Sequence, residues 1–343
     1  MVAGSEGPKL ARVVRFFRRH PALLLFGLTP GIPEYLSGST STALLAVNPL
    51  GFLVFLALNL ALYGPGVLLV REAWIRFGRG WAALLCLGTA YGLLEEGTAL
   101  STLFDPAARV VGTEGSYGRF AGVNWVWTAG VLPVHVLFSV GLPLLLLGLA
   151  VPATRGVSLL SRQEVVAAAG VYVLDIVLFA SITHYYSVQP AEVVGAAVVA
   201  LGFWGVASRL PPRLLGPTAE RPSHGPRVFF LLGLVFYPVL VLIPGAGEAT
   251  RLPAALSVAG ELVALAVLFF LVRRWIGRTS NEPQWVAFAF GTTLPLAVVG
   301  LVAQLALPVE LAVDAVYAAF FSTLWVHYRV RPGGAPVPAK ALG

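Results

Sequence analysis

Two adjacent carboxylates, Glu95 and Glu96, stand inside the apolar stretch Ala90–Phe104, AYGLLEEGTALSTLF. A charge at bilayer depth costs about 3 kcal/mol or more, so ionisable groups there face a bundle interior, a water cavity or a partner. Two carboxyls held close in a low dielectric cannot easily both ionise. On this stretch Tyr91, Glu95, Thr98 and Thr102 recur at steps of four, three and four, one face of a helix. On the next apolar stretch Asn124, Thr128, His135 and Ser139 recur at four, seven and four. If the two helices are antiparallel neighbours, Glu95 and His135 lie at depths that agree within roughly 5 Å. A carboxylate–imidazole contact is therefore expected, with Glu96 on a neighbouring face beside Thr89 and Gly92. Such a pair is general acid–base equipment and equally proton-relay equipment in transporters. The reading assigns the chemistry to Glu95, Glu96 and His135, and substrate contacts to Glu34, Tyr91, Thr98, Asn124, Thr128 and Ser139.

The elements that must position these groups are membrane helices. The 343-residue chain is 57% hydrophobic and 11% charged, with mean hydropathy +0.83, too apolar and too poor in charge for a soluble domain. Stretches of about 20 apolar residues predict ten spans, near 20–36, 50–76, 80–104, 122–150, 164–186, 190–209, 227–246, 254–277, 283–306 and 308–329. The expected fold is all-α, a polytopic bundle over 20–329, between a basic N-terminal segment (1–19) and a disordered tail (330–343). With the N-terminus inside, 20 of the 23 Lys and Arg fall in inside segments and only Arg109, Arg119 and Arg251 outside. By the positive-inside rule this predicts a cell-membrane protein with both termini cytoplasmic. The net charge of +7 is spread in short clusters between apolar runs, a mark of topology and not of a nucleic-acid surface. The partner it implies is the lipid bilayer.

The first span is proline-interrupted. Pro30 and Pro33 precede Glu34, and each removes a backbone donor, so the helix is expected to break or bend there. The hydroxyl-rich run Ser37–Thr42 follows, either a polar loop or a re-entrant segment. Arg71 and Glu72, near the inner end of the second span, are expected to serve structure, with Arg71 snorkelling to the interface and Glu72 meeting a cation from another loop. The connection Asp105–Gly122 is a candidate lid. Of the in-span polar residues Asp175, His184, Glu261, Gln304 and Asp314, all but Asp175 fall in the outer half and with Glu34 are candidates for an outward vestibule, the alternative being bundle-interior or interface contacts. Cys86 is the single cysteine, which leaves no disulfide framework and no thiolate metal site.

The EE pair followed by a histidine in the next helix resembles the CPBP intramembrane proteases, the group of CAAX prenyl proteases and bacteriocin-processing enzymes. Their pattern is EExxxR, FxxxH and HxxxN or HxxxD. Glu95 and Glu96 match the first pair, but Leu100 replaces the Arg. His135 matches the second motif without its Phe, at Val131. His184 is the candidate for the third, with Val188 in place of Asn or Asp. The resemblance implies peptide hydrolysis by water activated between Glu95 and His135.

Two active classes and one inert one stay open. The first is transport of a small solute or lipid coupled to protons or ions, suggested by the proline-broken first span. The second is a glutamate-type or metal-dependent hydrolase, and the third a non-catalytic membrane protein. Glu95, Glu96 and His135 are an adequate but unspecific O/N donor set, and no metal is assigned. No dinucleotide or P-loop fingerprint is present, and the cofactor is left unknown.

Overall fold

A computed structural model describes residues 16–17, 19–78, 80–108, 116–182, 189–279, 281–304 and 308–330. Among these the chain runs as ten long helical rods. They are α1 (Pro21–Pro30, continued by a π-helical segment Gly31–Leu36), α2 (Pro49–Arg76), α3 (Trp81–Gly92, continued by π segment Leu93–Ala99) and α4 (Trp125–Val134, π segment His135–Gly141, then Leu142–Ala150). The others are α5 (Arg162–Ile182), α6 (Pro190–Ala207), α7 (Pro226–Ala249), α8 (Ala254–Trp275), α9 (Glu282–Ala303) and α10 (Pro308–Val330). Eight of them, α2 and α4–α10, have the length and hydropathy of membrane spans. The remaining two, α1 and α3, coincide with the first and third expected spans and end in π turns. The protein is an all-α, multi-pass membrane protein.

Three rods start where a side chain supplies a partner for orphan amides. Asn48 Oδ1 accepts from Gly51 N at 2.9 Å at the head of α2, and Asn124 Oδ1 accepts from Trp127 N at 3.0 Å at the head of α4. Gln189 and Glu192 form a reciprocal capping box on α6. Before α4, Arg119–Phe120 and Val123–Asn124 pair as a two-residue hairpin whose turn residues, Ala121 and Gly122, both have positive φ, as a type I′ turn requires.

Burial separates inner from outer rods. About half of each apolar window of α2, α4 and α9 is buried, against 17–28% for α5–α8 and α10. The outer rods expose Val166, Val173, Leu174, Leu201, Leu242, Val263 and Val316, an apolar belt far too extensive for a water-facing surface and suited to lipid. Rod α4 lies between two cores. It gives Val140 and Leu147 to a cluster with Leu62, Leu87, Tyr91 and Tyr172, and Phe138, Leu142 and Leu146 to one with Ile32, Leu240, Val286 and Phe321. Rods α7 and α9 approach closely, since a Cβ on Gly233 or Gly291 would collide with the Phe288 or Phe230 carbonyl oxygen, the small-residue packing favoured in membranes.

Connections gather at two ends. At one, Arg155 pairs with Glu282 at 3.2 Å, Arg273 Nε donates to Gly216 O at 3.0 Å, and Ser223 N donates to Trp275 O at 2.9 Å. At the other, Tyr117 donates to Leu252 O at 2.9 Å, and the loop after α1 is held by Gln304, which accepts from Thr42 N at 3.1 Å and donates to Gly38 O at 2.9 Å. The Ser37–Thr42 run is thus a loop packed on Gln304 at the end of α9 and Glu310 in the first turn of α10.

Arg71 departs from expectation. It is 3% exposed, and instead of snorkelling it pairs with its neighbour Glu72 at 3.0 Å and donates to the Thr154 and Val157 carbonyls at 2.6 and 2.8 Å. Glu72 also accepts from Leu159 N at 2.8 Å, from Ser158 Oγ and from Arg76 Nε. The connection 154–160 supplies enough backbone partners to make burial of both charges tolerable.

Candidate functional site

Three rods change from α to π geometry, and the altered segments carry the ionisable residues: Glu34 in Gly31–Leu36, Glu95 and Glu96 in Leu93–Ala99, His135 and Ser139 in His135–Gly141. π segments close i→i+5 bonds and recur at functional positions; Leu100 N donating to Glu95 O at 2.8 Å is one. Prolines account for two of them. Pro33 lies within the first, and Pro133 lies two residues before the third, each lacking the amide that would continue the α ladder.

The wider turn places both adjacent glutamates on one imidazole. His135 Nε2 is 2.8 Å from Glu96 Oε1, and Nδ1 is 3.3 Å from Glu95 Oε2 and 3.0 Å from Ser139 Oγ. All four side chains are buried, Glu95 completely. The expected Glu95–His135 contact is present. Glu96 is not on a separate face: within the π turn, where neighbours diverge by less than the α-helical 100°, both carboxylates reach opposite edges of the same ring. The helical stripe also fails beyond Ala99. Ser101 turns back with φ 57°, and Thr102 returns to donate to Glu96 Oε2. Trp127 Nε1 donates to Thr102 Oγ1 at 3.0 Å. Gly92 permits the close approach of α3 to α4, since a Cβ there would sit 3.0 Å from His135 Cβ.

Neither oxygen of Glu95 accepts a hydrogen bond, and the Tyr91 hydroxyl is also buried without one. The Tyr63 and Tyr91 hydroxyls approach Glu95 without closing a bond of normal geometry. Tyr63 donates to Glu34 Oε1 at 2.6 Å, and Thr40 donates to Glu34 Oε2 at 2.6 Å. Glu34 is half-buried, lies within electrostatic range of Tyr91 and His135, and is the member nearest the Ser37–Thr42 loop. Tyr91 stacks on Tyr172 at 6.1 Å and lies 5.9 Å from the His135 ring.

Of the expected substrate contacts, the structure gathers Glu34, Tyr91 and Ser139 around His135. Thr98 has a buried hydroxyl with no hydrogen bond. Asn124 caps α4, and Thr128 bonds back to Asn124 O at 2.6 Å while facing an apolar groove of about 530 Å³ between α3, α4 and α6. Gln304 braces a loop. Asp175 is buried on α5 one turn from Tyr172. His184, which would supply a third motif, and residues 109–115 of the expected lid lie outside the described residues. Tyr63 and Tyr172 escaped the sequence reading. The available signal was Gly64-Pro65-Gly66 within a span, because a Cβ at Gly66 would sit 2.6 Å from the Tyr91 ring and 2.7 Å from that of Tyr172.

Fold and site together define a multi-pass helical membrane protein with a buried carboxylate–imidazole cluster. Over residues 23–326 the chain matches an uncharacterized membrane protein family, and it belongs to that family. This corrects the expected kinship with the CPBP proteases. The matching family is a different one, and the shared EE and His had rested on three residues with the Arg, Phe and Asn/Asp positions unmatched. No curated protein and no solved structure shows a match.

Proposed function

We propose that the protein is a cell-membrane transporter that moves a small solute or lipid with the coupled passage of protons or metal cations, and that Glu34, Glu95, Glu96 and His135 are its cation-handling site. One observation carries this reading: three rods each lose α geometry where they deliver acids or an imidazole to a single cluster short of positive charge. Among the described residues, no Lys or Arg pairs with Glu34, Glu95 or Glu96. Interrupted helices that meet at an ion site are the recurrent device of secondary transporters, and intramembrane acids and histidines are their proton relays.

Half-buried Glu34 is the entrance, beside the loop 37–42. Both termini are cytoplasmic in this reading, which puts that entrance on the outside. The sidedness is supported by segregation of the connections, since the Arg-rich segments around Arg155, Arg213 and Arg273 share one end.

The test is flux into proteoliposomes loaded with a pH-sensitive dye or a fluorescent metal chelator, under an imposed gradient of protons, Zn²⁺ or Mn²⁺. The protein should carry at least one of these, and E34Q or E95Q should abolish the flux while the protein stays folded. Rates equal to empty liposomes for every cation would overturn the reading.

A further inference from the structure

The cluster has the donors of a metal site. One ligand atom from each of Glu95, Glu96 and His135 can be chosen so that all lie within 4.8 Å of one another. Tetrahedral coordination with bonds near 2.0–2.1 Å would place such atoms roughly 3.4 Å apart. Closing on one ion therefore requires these atoms to draw together by up to about 1.4 Å, with the Glu95 carboxylate, now 3.3 Å from Nδ1, turning toward the Nε2 side of the ring that Glu96 already meets.

A second feature points the same way independently of proximity. Glu95 is 0% exposed, yet both its oxygens lack a hydrogen bond, and its nearest basic atom is His135 Nδ1 at 3.3 Å. With only the imidazole at 3.3 Å and the Tyr63 and Tyr91 hydroxyls beside it, the lost hydration of this carboxylate is incompletely replaced, and a cation in the cluster would restore the missing interactions.

The imidazole is also prepared. Ser139 Oγ lies 3.0 Å from Nδ1 and can hold that nitrogen's proton, which leaves Nε2, facing Glu96, as the donor atom. This is the outer-ligand arrangement that orients metal-binding histidines. With two carboxylates, one imidazole and no thiolate, the donor set favours a borderline divalent ion such as Zn²⁺, Mn²⁺, Fe²⁺ or Co²⁺.

We propose that Glu95, Glu96 and His135 bind one divalent transition-metal ion, with Ser139 as a positioning residue for His135. The inference deepens the cation-handling reading above and rests on it for the role of the ion.

The experiment uses the full chain in detergent, treated with chelator and titrated with Co²⁺ alone, then Zn²⁺ in competition. The expected result is one Co²⁺ per chain with visible d–d absorption that Zn²⁺ displaces. E95Q, E96Q and H135A should lose these bands. S139A should keep them with roughly 10–100-fold weaker affinity, and E310Q, at a buried acid elsewhere, should bind as the parent does. Circular dichroism and gel filtration identify variants that fail to fold, and the isosteric E95Q and E96Q keep the test decisive if H135A does. Absence of Co²⁺ and Zn²⁺ binding by the folded parent, or unchanged binding in E95Q and E96Q, would overturn the metal site. Proton flux that persists without metal binding would overturn this inference alone. Metal binding without any flux would overturn the transport reading and leave the metal site standing.

Discussion

Removal of one acid and removal of the imidazole should shift stability in opposite directions in chelator-treated protein. Glu95 and Glu96 face a single basic group, His135, among the described residues, while Glu34 is held by Tyr63 and Thr40. Two full charges up to 4.8 Å apart repel by about 3 kcal/mol at an effective dielectric of 20, an upper bound because a bound proton relieves part of it. E95Q removes that repulsion and adds a donor to a cluster of acceptors, so stabilisation on the order of 1–2 kcal/mol is expected. H135A does the reverse. It removes the group that meets Glu96 at 2.8 Å and Glu95 at 3.3 Å and leaves both acids buried without a basic partner, Glu96 keeping only the Thr102 hydroxyl, a change that costs up to about 3–5 kcal/mol. Thermal unfolding in one detergent, followed by circular dichroism, reads both variants, and the midpoint should rise by a few degrees for E95Q and fall for H135A. An E95Q loss as large as that of H135A would show that the acid is held by interactions that compensate it, and the charge-deficit argument would fail.

The Arg71–Glu72 clamp makes a separate stability test: R71M should cost about 1.5–3 kcal/mol by removing one charged partner of buried Glu72 and unpairing the Thr154 and Val157 carbonyls, less than full loss of a buried pair because Arg76, Ser158 and Leu159 N still hold Glu72, as read by thermal unfolding. In the α7–α9 seam, G291L should lower the unfolding midpoint markedly, because its side chain must displace the Phe230 backbone, and an unchanged midpoint would contradict the close packing. Replacing Gln304 by Ala removes the acceptor for Thr42 N and the donor to Gly38 O. Amide exchange in 38–42 should then accelerate several-fold while α2 and α4 stay protected. Single cysteines introduced at Arg155 and at Tyr117 in a C86A background should react with an impermeant maleimide from opposite faces of the membrane, and labelling of both from one face would reject the proposed sidedness.

Much of the scaffold was legible from composition. Apolar runs report transfer free energy directly, so the membrane helices could be recognised without contacts, and two of the three rods that lose α geometry, α1 and α3, were visible as the proline-marked and carboxylate-bearing stretches. Glu95 and His135 could be paired in advance because residue number converts to depth at a constant rise along a helix. Side-chain direction could not be read, since it assumes a constant angular step, and the π segments at 93–99 and 135–141 break that assumption. Glu96 shares an imidazole with Glu95 within such a segment, and the left-handed Ser101 just beyond it returns Thr102 to Glu96. Tyr63 and Tyr172, from rods distant in sequence, joined the site through packing at Gly66, and the burial of Arg71 depended on carbonyls from residues 154 and 157. The chain's own order of apolar and charged residues determined that it lives in a membrane and which helices bear its acids. Only the tertiary structure decided which of those acids share a partner, because that depends on where hydrogen-bonded backbone departs from the α-helix and on which distant rods fill the space left open.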